Sequence, residues 1–346
     1  MTISLCMIIK DEQSVLENCL SSFKDVVDEI IIVDTGSSDN SKQIAKKYTD
    51  KIYDYKWDNN FSNARNYSIS KANCEYYMWV DADDYLMDVE KHKLLKLKEN
   101  NYNVDKYYFL YNFDKNYEPF YRERLIKNDG NHLFKGNIHE AIVPSGIIEY
   151  KDIIITQYDK KKGLTNRNIN IFLSMDDKTF TSRDKYYFAK ELYRHSQFDK
   201  SIYYFEKFLN DIDTYYIDCI DACFCLSSLY IKNENYEKAL NVLFKSFVYD
   251  LPKANILCQI GNVYMFINDY NKAIYYYKLA LKCKNDNKSF IHKDYFYYIP
   301  CINLCVCYDR LKKYQLAYYY NELAHKYKKD EKVYLSNKKY LIEKIK

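Results

Sequence analysis

Apolar positions in the first 85 residues fall into two alternating patterns. Short, largely apolar runs occupy residues 3–9, 29–33, 52–55 and 76–80, the second of them β-branched, and read as strands. Between them, residues 14–23, 40–47 and 61–71 read as helices. Val15, Leu16, Cys19 and Leu20 show the helical spacing most clearly, and Ser38 or Asp39 is placed to cap the second helix. Strands alternating with helices predict βαβ units and a parallel sheet covered on both faces. Residues 107–113, 121–126, 132–134 and 153–157 are strand-like without long helices between them. They predict an antiparallel extension of that sheet, forming one side of a cleft.

From about residue 184 the pattern is helical and it repeats. The segments QFDKSI (197–202), NYEKAL (235–240), DYNKAI (269–274) and KYQLAY (313–318) align on an aromatic at 198, 236, 270 and 314. The steps are 38, 34 and 44 residues. A Ser or Ala follows each aromatic by three residues, small enough to let helices approach. A period near 34 with paired helices resembles tetratricopeptide repeats. The expected organisation is an α/β domain over residues 1–165, a Rossmann-like mixed sheet, followed by an all-α helical-repeat domain over 166–346.

Composition narrows the function classes. With 52 basic and 48 acidic residues, the net charge of +4 is too balanced for a nucleic-acid-binding surface. The 41 tyrosines accompany abundant Lys, Asn and Ile, a bias of AT-rich codons that carries little functional weight. No apolar run reaches the ~18 residues of a membrane span, and the N-terminus lacks the features of a signal peptide. A reducing cytoplasm is therefore expected. The 11 cysteines lack zinc-type spacings and are expected as free thiols packed in helices. Trp57 and Trp79 are expected to be packing residues, and the run at 160–162 a solvated turn between domains.

Candidate chemistry sits at strand ends. In YYMWVDADD (76–84) an apolar strand delivers Asp81, Asp83 and Asp84 at its tip. Hard carboxylate oxygens there suit Mg²⁺ or Mn²⁺ rather than zinc. In IIIVDTGSSD (30–39), Asp34 ends a strand and Gly36 allows the tight turn after it. Asp34 can accept a hydrogen bond from a nucleobase N–H or a ribose hydroxyl, whereas Asp39 reads as a helix cap. Ligands of such sheets bind beyond the carboxyl ends of the strands, so Asp34 and Asp81 are expected at neighbouring strand tips on one rim.

Four motifs occur in a recognisable order: LCMIIKDE (5–12), VDTGSSD (33–39), FSNARN (61–66) and WVDADD (79–84). Together they resemble the family 2 glycosyltransferases of the GT-A fold, over about residues 1–145. Within that family the chain is similar to a bacterial branch with tetratricopeptide-like C-terminal repeats, which includes peptide and flagellin glycosyltransferases. The resemblance implies an inverting hexosyl- or N-acetylhexosaminyl-transferase using a nucleotide-sugar donor, UDP-linked by expectation, with Mn²⁺ or Mg²⁺. Asp34 matches the position that contacts the nucleoside, and Lys10, Asp11 and Glu12 match the loop beside the base, with Asp11 where Asn is usual. Arg65 matches an arginine near the donor. Asp81 matches the position near ribose and metal, and Asp83 the direct metal ligand. The segments YRERL (121–125) and FKGNIHE (134–140) resemble an arginine-bearing strand and a G-x-I-H-E element of this branch. Inversion by single displacement needs a base for the acceptor hydroxyl. Glu140 is assigned that role and His139 a metal or diphosphate contact, with the reverse assignment open. Arg124 is expected to steady the diphosphate or to pair with Asp83.

The expected acceptor is a peptide or protein held by the helical repeats, with a homo-oligomer admitted as a further assembly. The alternatives are a transferase for a cell-surface glycan or lipid-linked sugar, and a non-catalytic repeat scaffold with a nucleotide-binding domain. A nucleotidylyltransferase is disfavoured because residues 7–12 contain no glycine-rich phosphate loop.

Overall fold

A computed structural model describes residues 1–99, 103–158, 163, 165–287 and 291–346; the basic run at 160–162 lies outside them. The chain divides into two compact units. One comprises Met1–Lys115 with Pro119–Met175, the other Asp176–Lys346 with Asn116–Glu118.

The first unit begins with β1 (Ile3–Ile9), α1 (Leu16–Phe23), β2 (Glu29–Asp34), α2 (Ser41–Ala45), β3 (Ile52–Asp54), α3 (Phe61–Ile69) and β4 (Tyr76–Trp79). It continues with β5 (Asp84–Leu86), α4 (Asp88–Lys98), β6 (Lys106–Asn112), β7 (Phe120–Lys127), β8 (Phe134–Lys135), β9 (Ala141–Ile142), β10 (Ile148–Gln157) and α5 (Arg167–Leu173). The main sheet has the order β3-β2-β1-β4-β7-β6-β10-β5. Strands β1 to β4 are parallel, so their carboxyl ends share one edge. Both faces of this half are covered. On one, Leu5, Met7, Ile30, Ile32 and Met78 pack with Leu16, Leu20 and Leu94. On the other, Cys6, Ile31, Tyr77 and Trp79 pack with Ile69 and Phe134. Two-sided burial explains why these strands read as unbroken apolar runs.

The second half of the sheet differs from its expected form. Strand β7 is antiparallel to β4 and β6, but β10 runs parallel to β6. The extension is therefore mixed rather than antiparallel. The strand expected at 132–134 is instead β8, which pairs only with β9 in a separate two-stranded ribbon. Strand β5 and helix α4 were not anticipated. The first is three residues long, and the second buries Glu90 beside Leu94 and Leu97, which blurs its apolar stripe.

The second unit holds α6 (Ser182–Arg194), α7 (Phe198–Phe208), α8 (Tyr216–Lys232), α9 (Tyr236–Lys245), α10 (Ala254–Phe266), α11 (Tyr270–Ala280), α12 (Tyr298–Arg310), α13 (Tyr314–Tyr327) and α14 (Glu331–Ile345). The helices pack as hairpins α6/α7, α8/α9, α10/α11 and α12/α13, with α14 against α13. The sequence period has an atomic counterpart. Ser196, Glu234, Asn268 and Lys312 adopt φ of 58°, 56°, 64° and 57° at equivalent points of the four turns. The residue after each donates its N–H across the turn to Leu192, Tyr230, Tyr264 or Tyr308 at 2.8–2.9 Å, the helix-ending bond of a Schellman turn. The small residues Ser201, Ala239, Ala273 and Ala317 are all fully buried, as close helix approach requires. Gly261 on α10 lies against the Tyr277 ring, where an added Cβ would come within 2.7 Å.

None of the four left-handed turn positions is glycine, and an L-residue there costs roughly 1 kcal/mol. Replacing Ser196, Glu234 and Lys312 by glycine should stabilise the repeats by about 0.5–1 kcal/mol each, near additively over these separations. Thermal melts of the triple variant test this; an unchanged or lowered midpoint would refute the turn assignment.

The thiols pack as expected. Cys219, Cys223, Cys258, Cys301, Cys305 and Cys307 are buried free thiols. The group of three potential metal ligands among the described residues, Asp105, Asp129 and His132, contains no cysteine. No helix among the described residues is long and apolar enough to cross a membrane.

Candidate active site

The parallel strands bring their tips to one edge, with β1 between β2 and β4. Asp34 and Asp81 therefore flank β1 rather than sit on neighbouring strands. Two strand spacings separate the tips by roughly 10 Å.

At the first tip Asp34 is 2% exposed. Its Oδ1 accepts the N–H groups of Gly36 at 3.0 Å and Ser37 at 2.8 Å, and its Oδ2 lies 4.0 Å from Lys42 Nζ. Gly36 has a φ of 105°, which a side chain would strain. The loop after β1 is laced to the loop after β2. Asp11 accepts the Ser38 N–H at 2.7 Å and donates its own N–H to Ser37 Oγ at 3.0 Å. The Ser38 N–H is the main reason the Asp11 carboxyl sits below the usual carboxylate range. Glu12 donates its N–H to Ser41 Oγ, and Gln13 donates to Asp39. Asp39 also accepts the Ser41 N–H at 2.9 Å, although the capping residue of α2 is Asn40. Lys10 is exposed and Glu12 half-buried on the same rim.

At the second tip the acidic turn folds on itself. Asp84 donates its N–H to the Asp81 carbonyl, and Asp84 Oδ2 accepts the Asp81 N–H, both at 2.9 Å. Asp84 is 1% exposed and accepts Arg124 Nη1 and the Tyr111 hydroxyl, each at 3.0 Å. Burial raises the Asp84 carboxyl; Arg124 opposes this and Asp81 adds to it. Arg124 is 0% exposed, so its partner is Asp84 and not the expected Asp83. Its position has a backbone cause. Tyr107 pairs with Leu125 but Tyr108 with Glu123, so Arg124 is the extra residue of a β-bulge, a device that re-aims a side chain. Asp83 is buried, and its carbonyl accepts the Tyr158 N–H at 2.6 Å.

Helix α3 supplies the third group. Asn60 caps it by accepting the Asn63 N–H at 3.0 Å. The helix is stapled to the segment leading to His139 and Glu140: Phe61 N–H to the Asn137 carbonyl, Ser62 Oγ to the Gly136 carbonyl, and Asn66 to both backbone groups of Phe134. This aims Arg65 between two carboxylates. Its Nε donates to Glu140 Oε1 at 2.6 Å and its Nη2 to Asp81 Oδ1 at 2.7 Å. Burial would raise the Asp81 carboxyl, but Arg65, Arg124 and Arg122 outweigh it and hold Asp81 well below the usual range. His139 has a φ of 51°, an uncommon conformation for a residue with a side chain.

Trp79 is more than packing. Its indole ring is surrounded by the guanidiniums of Arg124 at 4.1 Å, Arg122 at 4.5 Å and Arg65 at 4.8 Å. The structure thus gathers Arg65, Asp81, Arg124 and Glu140 with Asp84, expected only as one of the strand-tip carboxylates, and with Arg122 and Trp79, to which no site role had been given. The only signal for Arg122 was its place two residues from Arg124. Trp57, by contrast, is half-buried against Phe61, with ring centroids 4.8 Å apart.

Among the described residues Asp81, Asp83 and His139 do not form a three-ligand group; the one found is Asp105, Asp129 and His132, at the edge of β6 and β7 away from this rim. A magnesium-type ion nevertheless fits the acidic turn. Such ions commonly take one or two carboxylates and complete their shell with water and substrate phosphate. Asp81 is 32% exposed at its side chain, and its Oδ2 makes no hydrogen bond among the described residues.

Residues 4–162 match the model of Glycosyl transferase family 2. The chain is 44% identical over 85 residues to a TPR repeat-containing protein of Synechococcus elongatus, covering 25% of this chain and 21% of that protein. It is 27% identical over 262 residues to the SPbeta prophage-derived glycosyltransferase SunS of Bacillus subtilis, covering 68% of this chain and 60% of SunS. The chain thus spans about a fifth and three-fifths of these relatives' lengths. Among solved structures, the TPR protein YrrB aligns with half of this chain and 83% of its own, at 16% identity and a TM-score of 0.40. By this match residues 4–162 form a Glycosyl transferase family 2 domain, and repeated helical hairpins follow it.

Proposed function

We propose that the chain is an inverting glycosyltransferase that moves a sugar from a nucleotide donor, UDP-linked by preference, to a peptide or protein acceptor. The observation that carries this reading is the bridge by Arg65 between Asp81 and Glu140, on the edge that also holds Asp34. It joins a phosphate-facing acidic turn to a carboxylate suited to act as base. Asp34 receives the nucleoside, beside the loop of Lys10, Asp11 and Glu12. The diphosphate then lies toward Asp81 and Asp83, across the tip of β1. Mg²⁺ or Mn²⁺ held by Asp81 and Asp83 would neutralise charge on the departing diphosphate. Glu140 takes the proton of the acceptor hydroxyl, and His139 contacts the metal or diphosphate. Acceptor binding is assigned to the helical repeats, because stacked hairpins offer extended surfaces suited to polypeptide. The preference for a protein over a glycan acceptor rests on that surface.

Donor hydrolysis tests the reading. UDP-sugar turnover should require Mg²⁺ or Mn²⁺ and fall by about 10²-fold or more in Asp83→Ala, the scale of losing one charge-stabilising contact. Turnover that survives chelation unchanged would remove the metal from the mechanism.

A further inference from the structure

Three guanidiniums crowd the indole of Trp79, and two of them are already paired with carboxylates. Arg65 serves Asp81 and Glu140, and Arg124 is sealed beneath the acidic turn on Asp84. Arg122 differs. It is half-buried, not sealed, and among the described residues it has no hydrogen bond and no carboxylate within ion-pair distance. Its guanidinium stacks 4.5 Å from the Trp79 ring centroid and 5.5 Å from that of Tyr111. Stacking uses the face of a planar guanidinium and leaves its N–H edges unspent. The ring contacts also fix its direction in advance, which lowers the entropy lost on binding an anion. Its charge is felt at Asp81, so it belongs to the potential of the same rim.

We propose that Arg122 is the cation that grips the diphosphate of the nucleotide-sugar donor, a role that rests on the donor reading above. Arg124, two residues along the strand, supports the acidic turn from within. The bulge at Arg124 separates the two tasks: it sends one arginine inward and leaves the next available to ligand. The bonds formed are charge-assisted N–H to phosphate-oxygen bonds, which are shorter and stronger than neutral ones.

The test compares wild type, Arg122→Gln and Arg122→Lys for binding of UDP, GDP and dTDP by isothermal titration. Binding of the matching nucleosides is followed by saturation-transfer NMR. Arg122→Gln should weaken the bound diphosphate by roughly 10- to 100-fold while leaving the nucleoside within twofold. Arg122→Lys should recover part of the loss, since it keeps charge but not the planar fork. Equal diphosphate affinity in wild type and Arg122→Gln overturns the assignment while the donor reading stands. An equal loss for nucleoside and diphosphate marks Arg122 as merely structural and also overturns it. Failure of wild type to bind any of the three diphosphates overturns the donor reading itself.

Discussion

Glu140→Gln should lose sugar transfer by about 10²- to 10⁴-fold, the usual worth of a positioned general base, while retaining donor binding. Glutamine keeps the shape of the side chain and an oxygen to accept the Arg65 Nε bond now made at 2.6 Å. What it removes is the charge and the proton affinity. The measurement is single-turnover transfer to a protein acceptor, alongside titration of the donor nucleotide. Transfer at the wild-type rate would eliminate Glu140 as base. A comparable loss in His139→Asn with normal Glu140→Gln would exchange the two assignments.

Asp84→Asn should destabilise the first unit by about 3–5 kcal/mol, because it strands a buried arginine. Arg124 is completely buried, and among the described residues its Nε and Nη2 already lack hydrogen-bond partners. Its charge is compensated mainly by Asp84, with help from the Trp79 carbonyl at 3.2 Å and two aromatic faces. For a domain of this size the midpoint of thermal unfolding should drop by roughly 6–20 °C. Adding Arg124→Met should restore most of it, since apolar replacement of a whole buried pair is often neutral. A single variant that melts within two degrees of wild type would contradict the pairing.

Much of the first unit was legible because its strands are buried on both faces. The runs of β1, β2 and β4 could belong to little else, and the polar residue that ends each marked the rim. Strand β10 was caught only at its end. Its first half, Ile148 to Lys151, is partly exposed and carries Glu149 and Lys151, and an irregularity follows before Ile154. Arg65, Asp81 and Glu140 were found by motif, but their union was not: it depends on the staple between α3 and residues 134–137, which joins segments some 70 residues apart. The division of labour between Arg122 and Arg124 could not be read from spacing. Both guanidiniums lie over the Trp79 and Tyr111 rings, and regular strand spacing does not announce the inserted residue, Arg124, which alone is fully buried. In the second unit the turns were legible through their aromatics, although none announces its left-handed residue with glycine.

The bridging guanidinium of α3 also bears on timing. Arg65 divides its two bonds between Asp81 and Glu140, the acids assigned above to the phosphate and acceptor sides. Any ligand that draws Asp81 away leaves Arg65 with Glu140 as its sole anionic neighbour, unless phosphate takes the vacated edge. Under the proposed function, arrival of the donor would thereby be felt at Glu140, the proposed base, and would favour loading of donor before acceptor.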